Sequence, residues 1–407
     1  MRNNLILASL FTLVLWQFQH CQQLLNGLDF ASISSDVPLR PGASTTTRKR
    51  SSGTPQGESQ GSSDPRLPGG AESYFSLPSG RNWKDGTVVC VVDVDAGHLA
   101  MFMNVAISLD PLCGHLLALA YDIDVIQDLK KYNVPFVYSK PLRDSVLRRI
   151  ADKNVSAYLE YPMAAKLQLL HELLVQGIPV WFSDADTFHM RSFGNILRES
   201  RRKSSLPNST ETPIDIVVSA FRQRARFAKG IWAEWVGPFI PGSSTITLNN
   251  GVAAYWPSKQ TLHLLSDVKS GPRGGGWGQV NFNAALRRGT SITASKIFGK
   301  NQYLGYNNYY NISFLVVTAV HSVWEQDCVG SARRAKDDTG CFHHHALNTG
   351  GNSVGTGTNR AMQVGHSNAR TAAMNASGYW VLRDDWKEVQ PKYDFSEFLL
   401  AVDKRRH

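Results

Sequence analysis

"AAKLQLLHELLVQGIPVWFSDAD", residues 164–186, decides the fold. Its first part repeats leucines at helical spacing and ends at Gly177, the residue type that closes helices because it accepts a left-handed backbone. Ile178 to Phe182 then forms a short apolar run without polar alternation, as in a strand covered on both faces. A helix feeding such a strand is half of a βαβ unit. The strand runs into two carboxylates, Asp184 and Asp186, which a purely core-filling strand would not need. Residues i and i+2 of a strand point to the same side, so both carboxylates can face one point in space. Two like charges this close stay ionised at neutral pH only beside a counter-cation. A hard divalent ion, Mn²⁺ or Mg²⁺, held by one or two carboxylates and completed by substrate phosphates, meets that need.

Upstream, "TVVCVVDVD" (87–95) reads as a buried strand and "AMFMNVAISLDPL" (100–112) as a helix. "HLLALAYD" is a second strand ending at Asp122, "DVIQDLKKYN" a helix and "VPFVYS" a third strand. This alternation predicts a doubly wound α/β fold with a mostly parallel sheet. Ligands in such folds bind beyond the carboxyl ends of the strands, where Asp93, Asp122 and the Ser-Asp-Ala-Asp stretch fall. Asp93-Val-Asp95, followed by Gly97 and His98, reads as a substrate-loop or turn-forming pair, and the later pair as the metal site. Downstream, "DIVVSAF" (215–221) is a strand, and "TITLNNGVAAYWPS" (245–258) reads as strand, turn and strand with Asn250-Gly251 at the turn. "TLHLLSDV" and "QVNFNAALRRG" are helical, residues 328–378 are loop-rich, and "YDFSEFLLAVDK" closes the chain as a short helix.

The net charge of +10 comes from scattered clusters, such as Arg48 to Arg50, Arg201 to Lys203 and Lys404 to Arg406. No Lys/Arg helix face or nucleic-acid module accompanies them, which argues against nucleic acid and for an anionic small substrate. Residues 1–22 contain an apolar stretch, Leu5 to Trp16, that is short against the roughly 20 residues of a membrane span. They read as a signal peptide or a short signal-anchor, so membrane attachment through this segment is open. Residues 23–80, rich in Ser, Thr, Gly and Pro, read as a disordered stem, and 81–407 as one catalytic domain. Four sequons, at Asn154, Asn208, Asn311 and Asn375, agree with passage through the secretory pathway. The expected location is the Golgi membrane with a lumenal catalytic domain, or alternatively secretion. In that compartment Cys90, Cys113, Cys328 and Cys341 can form two disulfides, with Cys328–Cys341 the preferred pair and Cys90–Cys113 the second.

"YLEYPMAAKLQLLHELLVQGIPVWFSDADTFHMRSF", "LNNGVAAYWPS" and "GWGQVNFNAAL" together resemble the nucleotide-diphospho-sugar transferase family that includes plant arabinosyl-, galactosyl- and xylosyltransferases. The resemblance spans about residues 86–300 and, more thinly, runs to 345. It implies a GT-A fold, a metal held by Asp-x-Asp, a nucleotide-sugar donor, a glycan or glycoprotein hydroxyl acceptor, and retention of anomeric configuration. By position, Asp184 and Asp186 are the implied metal and catalytic residues, and Lys166 neutralises phosphate charge or supports them. Asn250 and Gly251 line the acceptor side, Gln279 contacts the donor sugar, and His345 is a third metal ligand from the run His343-His344-His345. Two departures stand out. Gly278 replaces the aspartate usual before Gln279, and the late His-x-Asn is shifted in spacing. A metal-dependent phosphoester or nucleotide hydrolase, and a lectin-like protein on a transferase fold, are the alternatives.

Overall fold

The computed structural model describes chiefly residues 73–222 and 246–321, with short interruptions, together with 343–345 and parts of 370–387. All of these belong to one unit, Gly69–His407. The leader, most of the stem, the expected Cys328–Cys341 pair and the expected C-terminal helix lie outside the described residues.

The element order begins β1 (Val89–Val94), α1 (Leu99–Leu109), β2 (His115–Ala120), α2 (Ile123–Lys131), β3 (Phe136–Val137), α3 (Lys140–Ile150), α4 (Ala157–Val175) and β4 (Val180–Ser183). It continues with β5 (Thr187–His189), α5 (Phe193–Ser204), β6 (Ile216–Arg222), β7 (Ile246–Tyr255), α6 (Lys259–Lys269) and α7 (Gly278–Arg287). The last strands are β8 (Thr290–Ala294), β9 (Tyr303–Asn307), β10 (Ile312–Thr318), β11 (Val320–His321) and β12 (His343–His345). Nine strands form one sheet in the order β3-β2-β1-β4-β7-β6-β10-β9-β8. Among the described residues, seven of the nine run the same way and only β7 and β9 are reversed. This is the doubly wound, mostly parallel α/β sheet that the sequence predicts.

The two sides of each central strand enter different cores. In β1, Val89 and Val91 pack with α3, α4, α6 and α7, whereas Cys90, Val92 and Val94 pack with α1, α2 and α5. In β4, Val180 and Phe182 join the first core and Trp181 the second. Burial on both faces is why these strands read as unbroken apolar runs. Each fully buried side chain of this size contributes about 1.5–3 kcal/mol.

Helix α4 ends as its sequence directs. Gly177 has φ +78°, its N–H donates to the Leu174 carbonyl (3.0 Å), and the Ile178 N–H donates to Leu173 (3.0 Å). That pair of bonds satisfies the last carbonyls and aims the chain straight into β4.

One expectation is corrected. Asn250 and Gly251 do not make a hairpin turn but lie within the single ten-residue strand β7. Gly251 is not among the positive-φ glycines, so the conformation that an Asn-Gly hairpin turn requires is not present. The strand stays paired on both sides, to β4 through Val252 and to β6 through Asn249, with a register shift at Val218/Ser219.

Cys90 and Cys113 form a disulfide, linking β1 to the segment just before β2 across a sequence separation of 23. A closed loop of that length stabilises the fold by about 3 kcal/mol through the entropy of the unfolded chain. The double substitution of Cys90 and Cys113 by alanine and serine is therefore expected to lower the urea midpoint by an amount equivalent to about 3 kcal/mol. An unchanged midpoint in the oxidised protein would show that the crosslink contributes nothing.

Candidate active site

The register of the sheet builds the site. Val92 stands beside Ser183, so Asp93 and Asp184 follow side by side at the carboxyl edge of β1 and β4. The turn after β4 is pinned from both flanks. Asp93 Oδ1 accepts from the Ala185 N–H (2.9 Å), and the Asp184 N–H donates to the Gly251 carbonyl (2.7 Å). Beneath it, the Thr187 hydroxyl donates to the Asp184 carbonyl (2.9 Å) and lies 2.7 Å from the Ser183 hydroxyl, itself 2.7 Å from His189 Nε2. Trp181 holds that imidazole edge-on at 4.8 Å. The loop carrying the two aspartates is thus a fixed platform.

Asp184 rests against bare backbone. A Cβ on Gly251 would fall 1.8 Å from Asp184 Oδ2 and 2.6 Å from its Cγ, so only glycine leaves the carboxylate its place. Lys166, on α4, is 2% exposed, and its Nζ lies 3.8 Å from Asp184 Oδ1 and 4.0 Å from the centre of the Phe182 ring. Burial lowers the Lys166 pKa, while Asp184 and Asp93 pull it up. Burial and the neighbouring Asp184 carboxylate push Asp93 up to about 7, against the opposing pull of Lys166. The Tyr121 hydroxyl donates to Asp93 Oδ2 (3.2 Å). Asp186 is 4% exposed and ion-paired to Arg370 Nη1 at 3.0 Å.

Two buried polar atoms here have no hydrogen-bond partner among the described residues: Lys166 Nζ and Asn250 Oδ1. Buried polar atoms without a partner are rare in folded proteins, and both stand at the carboxyl end of the sheet. Asn250 also meets the start of α7, since a Cβ on Gly278 would lie 3.7 Å from Asn250 Nδ2, 3.4 Å from Leu167 and 3.6 Å from Met163. Those are ordinary contacts, so a Cβ at position 278 would fit. Gln279 follows on the first turn of α7, partly exposed, and its carbonyl accepts from Asn283 Nδ2 (2.9 Å). Among the described residues, no group of three His, Cys, Asp or Glu side chains is arranged to hold a metal. The hard oxygens of Asp184 and Asp186 are the donor type that suits Mn²⁺ or Mg²⁺.

The remaining candidate residues are placed as follows. Asp122 lies a step away, capping α2 by accepting from the Val125 N–H (2.8 Å) and tying down the Ala96 N–H (2.9 Å). Asp95 closes the next turn, accepting from the N–H groups of Gly97 (2.8 Å) and His98 (3.0 Å). The backbone of His345 stands opposite Thr187 in the β12–β5 pair, one residue beyond Asp186. Tyr121 and Arg370 were not singled out by the sequence. No pattern signalled Arg370, because its partner is far back in the chain.

A family model described as nucleotide-diphospho-sugar transferase matches residues 112–348. The chain belongs to that family. The transferase is therefore a glycosyltransferase of the nucleotide-sugar class. No curated protein matches the transferase in sequence. Mouse xyloside xylosyltransferase 1 is 15% identical, with 48% of this chain and 80% of that one covered and a TM-score of 0.32. The bifunctional glycosyltransferase WbbM is 10% identical, with 71% and 50% covered and a TM-score of 0.35. GlyE of Streptococcus pneumoniae is 12% identical, with 50% and 44% covered and a TM-score of 0.25. The transferase thus spans half or less of the last two chains, and the family assignment rests on the sequence match.

Proposed function

We propose that Asp184 and Asp186 bind Mn²⁺ or Mg²⁺ and the diphosphate of a nucleotide sugar, whose glycosyl group passes with retention to a hydroxyl of a glycan or glycoprotein. The observation that supports this most directly is the seat of Asp184: a carboxylate pressed on the Gly251 backbone beside a buried lysine, at the carboxyl end of a central strand. The cation, when bound, supplies Lewis-acid stabilisation of the leaving diphosphate. Lys166 adds a fixed positive charge in a site shielded from water, where it acts more strongly than in solvent. Asn250, Gly251 and the start of α7 with Gln279 form the wall on which the donor sugar and acceptor are oriented. Ser183, Thr187 and His189 hold the loop so that orientation costs no rearrangement.

A secretory-pathway location, with a lumenal catalytic domain held at the Golgi membrane by the N-terminal segment or released by secretion, accompanies this reading. The Cys90–Cys113 disulfide and the exposed positions of the sequon residues Asn311 and Asn375 support it. No helix among the described residues is long and apolar enough to cross a membrane, and the N-terminal segment lies outside them.

The test is a panel of nucleotide sugars incubated with the purified domain and Mn²⁺, comparing Asp184→Asn and Asp186→Asn with the unaltered protein. Each substitution is expected to lower metal-dependent donor hydrolysis at least about 100-fold, or about 2.7 kcal/mol of transition-state stabilisation. Hydrolysis that persists in both variants would remove the carboxylate pair from the chemistry.

A further inference from the structure

Arg370 lies beyond the residues matched by the family model, yet it is ion-paired with one of the two key carboxylates. The segment that brings it there is built into the fold. Asn104 of α1 donates from Nδ2 to the Tyr379 carbonyl (3.1 Å) and accepts at Oδ1 from the N–H groups of Val381 (2.8 Å) and Leu382 (3.3 Å). Leu382 is fully buried, and the Trp386 ring sits 5.4 Å from Tyr132. Tyr379 packs on Phe188 of β5 at 5.6 Å, just past the aspartate loop. The C-terminal strap is therefore anchored on the same face that supports the loop.

Asp186 is almost completely enclosed, so a cation beside it offsets the cost of burying its charge. Arg370 supplies one through a 3.0 Å contact, while its own side chain remains 28% exposed. A guanidinium has donors only and no lone pair, so it cannot share a metal's coordination shell. Were a divalent cation held by Asp186, like-charge repulsion would turn the guanidinium away, and its planar fork would suit a phosphate. We infer that Arg370 is an exchange residue: it neutralises Asp186 in the metal-free protein and transfers to the donor's diphosphate when the cation binds.

This rests on the proposed metal site at Asp184 and Asp186, and the experiment separates the two. Binding of Mn²⁺ alone, and then of inorganic pyrophosphate at saturating Mn²⁺, is measured by calorimetry on the folded chain. In Arg370→Gln, Mn²⁺ alone is expected to bind several-fold tighter, because its competitor is gone. Pyrophosphate is expected to bind about tenfold more weakly, since a charge-assisted contact is lost. Arg370→Lys keeps the charge but not the fork, and is expected to fall between the two in pyrophosphate affinity. It also serves as the test if the glutamine variant does not fold. Unchanged Mn²⁺ and pyrophosphate affinities in a variant that melts like the unaltered protein overturn the exchange. Asp186→Asn is the control. If it abolishes Mn²⁺ binding while the Arg370 variants change nothing, only the exchange fails; if it leaves Mn²⁺ binding intact, the metal site itself fails.

Discussion

Gly251→Ala is expected to reduce donor turnover at least about 100-fold while the protein still folds. The added Cβ would lie 1.8 Å from Asp184 Oδ2 and 2.9 Å from Asn249 Oδ1, so something must move. β7 cannot, because it is hydrogen-bonded to β4 on one side and β6 on the other. Asp184 can, because its side chain is 30% exposed and solvent receives it on the open side. The carboxylate therefore leaves its seat beside Lys166, and the cost falls on ligand placement more than on the core. Overpacking at a site that relaxes in this way costs about 1–3 kcal/mol of stability. Thermal melting and steady-state kinetics on the same preparation check both parts. Full activity in a folded Gly251→Ala protein would mean that Asp184 works from some other position.

What could be read from the sequence follows from how local each signal is. The α4–β4 junction is legible because its helix period, its closing glycine and its buried strand are all contained in one short stretch. The two-sided burial of β1, β2 and β4 shows as uninterrupted apolar runs, and the carboxylates at their ends follow from that. Asn250-Gly251 misleads because the same dipeptide that favours a tight turn also serves wherever backbone must approach a neighbour. Here the neighbour is Asp184, and a single sequence does not show it. Arg370 and Tyr121 are invisible for a related reason, since each acts through contacts with residues distant along the chain. The edge strand β8 also escapes notice. It is short, with exposed polar residues at alternate positions, Ser291 and Thr293, and so resembles loop.

Lys166→Met is expected to separate stability from function. The ammonium is 2% exposed and without a hydrogen-bond partner among the described residues, and burial lowers its pKa. A lysine whose pKa is lowered on folding binds its proton less well in the native state than in the unfolded chain. It therefore penalises the fold at neutral pH, and the penalty vanishes as pH rises past its ordinary value of 10.5. Methionine has a similar unbranched shape and lacks the charge, so it fills the space without that penalty. The carboxylates left behind have other recourse: Asp184 is partly exposed, and Asp93 is already pushed up to about 7 and neutralises more readily still. The melting temperature at pH 7 is therefore expected to stay level or rise, with the advantage over the unaltered protein shrinking toward pH 10. Turnover of a nucleotide sugar is expected to fall about 100-fold, the loss of roughly 2.7 kcal/mol of charge stabilisation in the transition state. A marked drop in melting temperature would instead make Lys166 a structural counter-ion to the carboxylates, held there for the fold and not for the diphosphate.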